Sequence, residues 1–332
     1  MSTRLGDYDY ELPRELIAQH PLPRREDSRM MVLHRDRKKI GHAHFVDLKK
    51  FLRDGDLLVL NNSRVLPARY FSDDGKFEFL FLEKIAPCRW KALVKPSRKF
   101  SKGAVTFIHG VRVDAGEIFA DDSWEIVMSD DIDLQHGGAM PLPPYIKRPA
   151  FVEPGYKAED EARYQTVFAE YEGSLAAPTA GLHFTPQILG TLPHVFITLH
   201  IGTATFRPVK VEDITQHQMH PERFLISPDA AEAIVKAKRI VAVGTTTVRV
   251  LESVQRSFGK IQASEGETNI FIYPPFQFRV ADVLLTNFHL PRSTLLMLIS
   301  AFAGREFILR AYEEAVRERY RFFSYGDCML IL

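Results

Sequence analysis

The chain has 332 residues, 45% of them hydrophobic and 26% charged, with 43 Lys and Arg against 42 Asp and Glu. That composition is typical of a packed globular protein and excludes disordered and collagen-like classes, and the length suggests two domains. The formal net charge of +1 excludes a global field that would draw in nucleic acid, so any RNA site has to be a local basic surface.

Residues Met1 to Tyr10 have neither the basic start nor the apolar run of a secretory signal, and no apolar stretch reaches spanning length. A cytoplasmic protein with no membrane contact is expected. Cys88 and Cys328 stand far apart without a CxxC partner, which argues against a zinc ribbon or a disulfide framework.

In chain order, a short helix is expected near Pro13 to Ala18, then strands at Met30 to Leu33 and Leu57 to Leu60 with a helical segment between them. From Val65 the texture changes to short β-like runs, Phe77 to Leu82, Trp90 to Val94, Val105 to Ile108 and Trp124 to Val127, punctuated by Gly and Asp turns. These suggest a small barrel. The Pro-rich MPLPPYIKRP, Met140 to Pro149, lacks a normal run of backbone donors and predicts a stiff connector out of it.

Strands and helices then alternate. Val195 to Ile201 is a β-branched strand, and Ser227 caps and Pro228 opens a helix running to about Arg239. Strands are predicted at Ile240 to Val243, Thr268 to Tyr273 and Val283 to Thr286. Helices follow Gly244, and span Ser293 to Phe302 and Arg305 to Arg319 with a break near Gly304. The expected fold is an α/β catalytic domain, discontinuous, with a mixed sheet and flanking helices, built from residues 1–64 and 150–332 around an inserted small β-barrel domain, 65–149.

Several loops concentrate chemistry. APTAGLHF, Ala177 to Phe184, presents Thr179 and His183 to a ligand, or else Thr179 caps a turn and His183 is a satisfied core histidine. HIGTATF, His200 to Phe206, follows a strand, where open α/β sheets place their crevices; Gly202 permits close approach and Thr203 and Thr205 offer hydroxyls, or form a solvated turn. His217 and His220 of HQMH have metal-like spacing, but no further ligands stand nearby. That leaves acid or base work beside Glu222, or plain surface histidines. VGTTTVR brings Gly244, Thr245 and Thr246 to a helix start suited to an anion, against a reading of ordinary threonine capping. It is neither GxxxxGK[ST] nor GxGxxG, so neither ATP nor a dinucleotide is indicated. NFHLPRST gathers Asn287, His289 and Arg292 after a strand, and NNSR places Asn61, Asn62, Ser63 and Arg64 at the domain junction, as a polar site or as charges holding the insert.

These five segments, APTAGLHF, HIGTATF, HQMHPE, VGTTTVR and NFHLPRSTLLML, come in order along the chain with YDYELP, NNSRVLPAR, PLPPYI, RYQTVF and YGDCMLI. Together they resemble the S-adenosylmethionine:tRNA ribosyltransferase-isomerase family of queuosine biosynthesis, from Asp7 to Ile331. Two departures are local: Glu161 and Ala162 precede RYQT where Arg and Glu are expected, and Cys328 fills a variable slot.

The resemblance implies S-adenosylmethionine as a ribosyl-donating co-substrate with no permanently bound cofactor and no metal. It implies as acceptor a tRNA carrying 7-aminomethyl-7-deazaguanine at the wobble position, epoxyqueuosine as product, and a monomeric enzyme. His183, His200, His217, His220 and His289 are then the candidates for proton transfer at the acidified 5′ carbon and at the departing adenine. Tyr164, Gln165, Gly181 and the residues of the loops above join the substrate-binding candidates, with Arg249 beside the Thr-rich helix start as the anchor for the donor's carboxylate. Arg89, Lys91, Lys95, Arg98, Lys99 and Lys102 are expected to meet RNA phosphates. Two other readings are a tRNA methyltransferase, disfavoured by the lack of a Gly-rich donor loop, and a non-catalytic RNA-binding module, disfavoured by the His, Thr and Arg on successive loops.

Overall fold

The computed structural model describes residues 3–133, 137–148, 154–202 and 209–332. Thr203, Thr205 and Pro149 lie outside the described residues.

Strands β1 (Arg29–His34), β2 (Lys39–His44) and β3 (Asp56–Asn61) open the chain, and the short β4 (Ser63–Val65) leads out of it. Next come β5 (Arg69–Phe71), β6 (Glu78–Ala86), β7 (Arg89–Lys95), β8 (Val105–Ile108), β9 (Val111–Ile118) and β10 (Trp124–Met128). After helix α1 (Pro154–Arg163) follow β11 (Tyr171–Ser174), α2 (Pro186–Leu189), β12 (His194–Leu199) and β13 (Glu222–Ile226). The remainder is α3 (Pro228–Lys236), β14 (Arg239–Val243), α4 (Thr245–Phe258), β15 (Ser264–Thr268), β16 (Val283–Asn287), α5 (Thr294–Ala303), α6 (Arg305–Arg317) and β17 (Cys328–Ile331).

One nine-stranded sheet, in the order β15-β13-β12-β3-β14-β16-β17-β1-β2, forms the frame. β12, β3, β14 and β16 are mutually parallel, so their C-terminal ends share one edge; β17 runs antiparallel to β16, and the hairpin partner β2 antiparallel to β1. Both faces are covered, and the pleat sorts the side chains. Met31, Leu33, Leu284, Met329 and Ile331 pack with α5 and α6, while Met30, Val32, Val283, Leu285, Cys328 and Leu330 pack with Phe45, Leu48 and Phe184 on the other side. α4 buries Thr247, Val250, Leu251 and Val254, the one-face spacing of a helix lying on a sheet. Each such apolar side chain contributes about 1.5–3 kcal/mol on burial.

The β5 to β10 strands form a separate antiparallel sheet, ordered β5-β6-β7-β10-β9-β8, around Tyr70, Phe79, Phe81, Trp90, Phe100, Trp124 and Ile126. It curls as a barrel does, and Asp73 beyond β5 takes hydrogen bonds from the His109 and Gly110 amides beyond β8. No ladder joins β5 to β8 among the described residues, so the sheet is a half-barrel. A parallel ladder of β4 with β11 stands where the chain passes between the two sheets.

Other differences have local causes. The helical segment expected between the first two strands is the exposed edge strand β2 followed by a 3-10 turn, Phe45–Phe51. Pro13 to Ala18 holds a 3-10 turn, Arg14–Leu16, since it is too short to nucleate a helix. The strand expected at Thr268 to Tyr273 ends at Thr268. The Ile270 amide bonds instead to the Thr268 hydroxyl, and two prolines at 274 and 275 deny the segment donors.

Candidate functional site

At the shared C-terminal edge of β14 and β16 lies a cavity of about 570 Å³. Its size is that of a small-molecule site. Three of the loops singled out in the sequence meet there: Ala177 to Ala180, Gly244 to Thr246 with Arg249, and Asn287 to Leu295.

The chain between β14 and α4 turns at Gly244, whose φ of +91° favours glycine, and the α4 N-terminus has no side-chain cap. The first turn of α4, where helical amides lack intrahelical acceptors, borders the cavity, as does the first turn of α5. Arg249, one turn into α4, is buried and lines the same space. Its Nη1 donates to the buried Glu222 carboxylate and its Nε to the Ile270 carbonyl at 3.3 Å, while Nη2 has no partner among the described residues. Glu222 Oε1 also accepts the Gly202 amide at 3.2 Å. Glu222 therefore does not line the cavity; it holds Arg249 and the start of HIGTATF together.

Asn287 forms part of the opposite wall. Its Nδ2 donates to the Phe323 and Ser324 carbonyls at 2.9 and 3.4 Å, which fixes the amide orientation and makes Oδ1 the acceptor for His183 Nε2 at 3.1 Å. His183 Nδ1 then accepts from the Ser28 hydroxyl at 2.9 Å. With both nitrogens engaged, His183 is the satisfied core histidine of the alternative reading. His289 does line the cavity, with Nε2 2.9 Å from the Thr286 hydroxyl.

Burial lowers the His183 pKa to about 4 and that of His289 to about 3. Both are neutral in the folded state at pH 7, whereas the unfolded chain takes up protons below about pH 6.5. The native state then binds fewer protons, so stability falls as pH drops from 6.5 toward 4. Urea unfolding at pH 7 and pH 5 is expected to differ by about 2 kcal/mol per histidine. A His289→Gln variant should show a shallower pH slope, and an unchanged slope would refute the assignment.

The other histidines stand apart. His200 packs its ring over Gly173, where a Cβ would come within 2.9 Å, and burial lowers its pKa. His217 meets Phe271 edge-on and His220 is exposed. None of the three lines the cavity, and no described group of His, Cys, Asp and Glu is arranged to hold a metal.

The junction residues are chiefly braces. Asn61 bonds the Leu199 amide and carbonyl and the Ser63 amide, Asn62 bonds Glu170 and Thr198, and Arg64 donates to the Ala169 carbonyl. Gln165 pairs with both backbone groups of Val65, and Gly181 packs under Phe168 and Thr166 with no room for a side chain. Ser63 is buried away from the cavity. Tyr164 and Thr179 do line it. Arg292 lines it too, from a positive φ, and pairs with Asp9 at 2.6 Å.

Residues not foreseen come from distant segments. Tyr145 of PLPPYI lines the cavity and its hydroxyl meets Ser324 at 2.7 Å; Leu5, Lys210, Glu212 and Phe323 line it as well. The N-terminal segment straps two walls: the Leu5 amide bonds the Glu212 carbonyl, the Arg292 amide the Tyr8 carbonyl, and the Tyr10 hydroxyl the His289 carbonyl at 2.5 Å. On the half-barrel, most of the basic run is neutralised: Arg89 pairs with Glu125, Lys91 with Asp121, Lys95 with Glu78 and Lys102 with Glu117.

A helix start, an arginine with an unfilled donor among the described residues and a buried imidazole surround one cavity at the sheet edge of this α/β protein, a setting that suits a carboxylate or phosphate group. The chain belongs to the queuosine biosynthesis protein family, whose model matches residues 5–331. It is 47% identical over 99% of its length to the whole of a protein from Desulforamulus reducens named S-adenosylmethionine:tRNA ribosyltransferase-isomerase. A protein of the same name from Symbiobacterium thermophilum is 49% identical, again over 99% of this chain and all of that one. The crystal structure of S-adenosylmethionine tRNA ribosyltransferase from Thermotoga maritima is similar at a TM-score of 0.56 and 36% identity, over 98% of this chain and 100% of that one.

Proposed function

We propose that this chain transfers and isomerises the ribosyl moiety of S-adenosylmethionine onto 7-aminomethyl-7-deazaguanine at the wobble position of tRNA, giving epoxyqueuosine, adenine and methionine. Full-length similarity to proteins named for this activity supports the reaction class. The observation that carries the assignment to a site is the cavity itself, where Arg249 Nη2 has no acceptor among the described residues beside the uncapped start of α4. A carboxylate such as that of the donor's methionine supplies the missing acceptor and sits favourably at the positive helix end.

His289 is the proton-handling group of this reading. The donor's sulfonium acidifies the adjoining 5′ C–H, and His289, held by Thr286, is the one of the five candidate histidines that lines the cavity. Asn287, Tyr145 and Tyr164 shape the opposite wall. His183, Glu222 and Arg292 act through the residues they hold. S-adenosylmethionine is consumed as a co-substrate. We read the enzyme as a cytoplasmic monomer with residues 65–149 as an insertion; no described helix is long and apolar enough to cross a membrane.

The test is incubation of the purified protein with S-adenosylmethionine and tRNA bearing the aminomethyl-deazaguanine, following free adenine and nucleoside mass together. Adenine with the epoxyqueuosine mass is expected. Methylated RNA without adenine would replace ribosyl transfer by methyl transfer, and unchanged RNA would leave a binding module.

A further inference from the structure

His289 sits between β16 and α5, outside both elements, so neither a ladder nor a helix takes up its backbone groups. Two tyrosine hydroxyls do so instead. The buried Tyr312 of α6 accepts from the His289 amide at 2.9 Å, and Tyr10 donates to the His289 carbonyl at 2.5 Å. The two tyrosine rings meet edge to face at 4.9 Å, and Tyr10 also stacks on Phe322 at 6.2 Å. The peptide groups on both sides of His289 are thus gripped by one aromatic pair, half of it supplied from the start of the chain.

That grip governs the ring. The imidazole has one hydrogen bond of its own, from Nε2 to the Thr286 hydroxyl at 2.9 Å, so where it stands in the cavity follows where its main chain stands. The neighbouring positions are restrained separately. Ser293 Oγ donates to the Leu290 carbonyl at 2.7 Å, the Arg292 amide donates to the Tyr8 carbonyl at 2.8 Å, and the Arg292 side chain pairs with Asp9 at 2.6 Å. Of these contacts from the N-terminal segment, the Tyr10 hydroxyl is the one that reaches His289 itself. Burial raises the Tyr10 pKa, so the hydroxyl stays a donor throughout the working pH range. Tyr10 does not line the cavity, and any part it has in the chemistry is exerted through His289.

We infer that Tyr10 is a positioning residue for His289: its hydroxyl, bonded to the His289 carbonyl and braced on Tyr312, sets where the imidazole stands in the cavity. This rests on the role of His289 proposed above. It gives the first ten residues a task in the reaction, since they hold the loop that carries the proton-handling group.

Tyr10→Phe keeps the ring contacts and removes one hydroxyl. In the incubation described above, its kcat for adenine release is expected to fall about tenfold to a hundredfold, while affinity for S-adenosylmethionine by calorimetric titration stays within about twofold. Tyr312→Phe, which leaves the His289 amide unpaired, should show the same split. The discriminating step is a double-mutant cycle under single-turnover conditions. In a His289→Gln background, Tyr10→Phe should slow adenine release by no more than about twofold, because the group it positions is gone. A brace that serves stability alone would cost the same factor in both backgrounds, and that additive result overturns the inference. A Tyr10→Phe enzyme with wild-type kcat beside a slow His289→Gln also overturns it and leaves the proposed reaction standing. A His289→Gln enzyme with wild-type kcat overturns the role of His289 and this inference with it. Wild-type protein that releases no adenine overturns the proposed function and the inference together.

Discussion

An Arg249→Ala enzyme is expected to lose donor binding by about tenfold to a hundredfold, the worth of a charge-assisted hydrogen bond in a dry site. It is also expected to lose about 3–5 kcal/mol of stability, because Glu222 would be left buried and charged without its partner. The two effects separate experimentally. Calorimetric titration with S-adenosylmethionine on protein still folded reads the first, and urea unfolding reads the second. Glu222→Gln keeps an acceptor for the Gly202 amide but removes the charge that orients the guanidinium, so it should weaken donor binding with a smaller stability loss. A folded Arg249→Ala protein with wild-type donor affinity would place the carboxylate elsewhere and dissolve the assignment of this cavity end.

Asn287→Ala should cost about 3–5 kcal/mol, since it leaves the Phe323 and Ser324 carbonyls and the His183 Nε2–H buried without partners. Activity should fall further than stability alone explains. Ser324 also holds the Tyr145 hydroxyl, so the cavity wall moves with it, and misplacement of an ångström costs on the order of a hundredfold in rate. Asn287→Asp keeps the shape but turns a donor into an acceptor facing two carbonyls. It should be nearly as damaging as the alanine. If the aspartate protein matches wild type in urea midpoint and turnover, the amide network is not what holds the wall.

Where a single segment carries both its pattern and its partner, the sequence was enough. RIVAV followed by GTTTVR announces a buried strand, a glycine turn and a helix start, and β14, Gly244 and α4 are there. Within the half-barrel, alternation exposes β7 and β10 in the same way, whereas VRVDAGEI hides β9 because its outward face is polar and its inward face small. β2, KIGHAH, is an edge strand with one glycine and little to bury, so its sequence offers no apolar alternation.

The site divides on the same line. Thr245, Arg249, Asn287 and His289 follow strands and were legible as loops. Tyr145, Leu5 and Lys210 reach the cavity from segments far off in sequence, and PLPPYI, read only as a stiff connector, gave no sign of it. His217 and His220 drew notice by spacing, but spacing says nothing about which way a loop faces.

Strand β17, only Cys328–Ile331, is wedged between β16 and β1 in the middle of one half of the sheet. Met30 to Leu33 of β1 have their parallel neighbour nearly three hundred positions downstream. On the ribosome, the β1–β2 hairpin is therefore made early and waits with one buried-type edge open until almost everything else has emerged. Such late, non-local pairing slows folding and prolongs exposure of a sticky strand. This half of the sheet closes only once β17 has been made and has paired with β1 and β16.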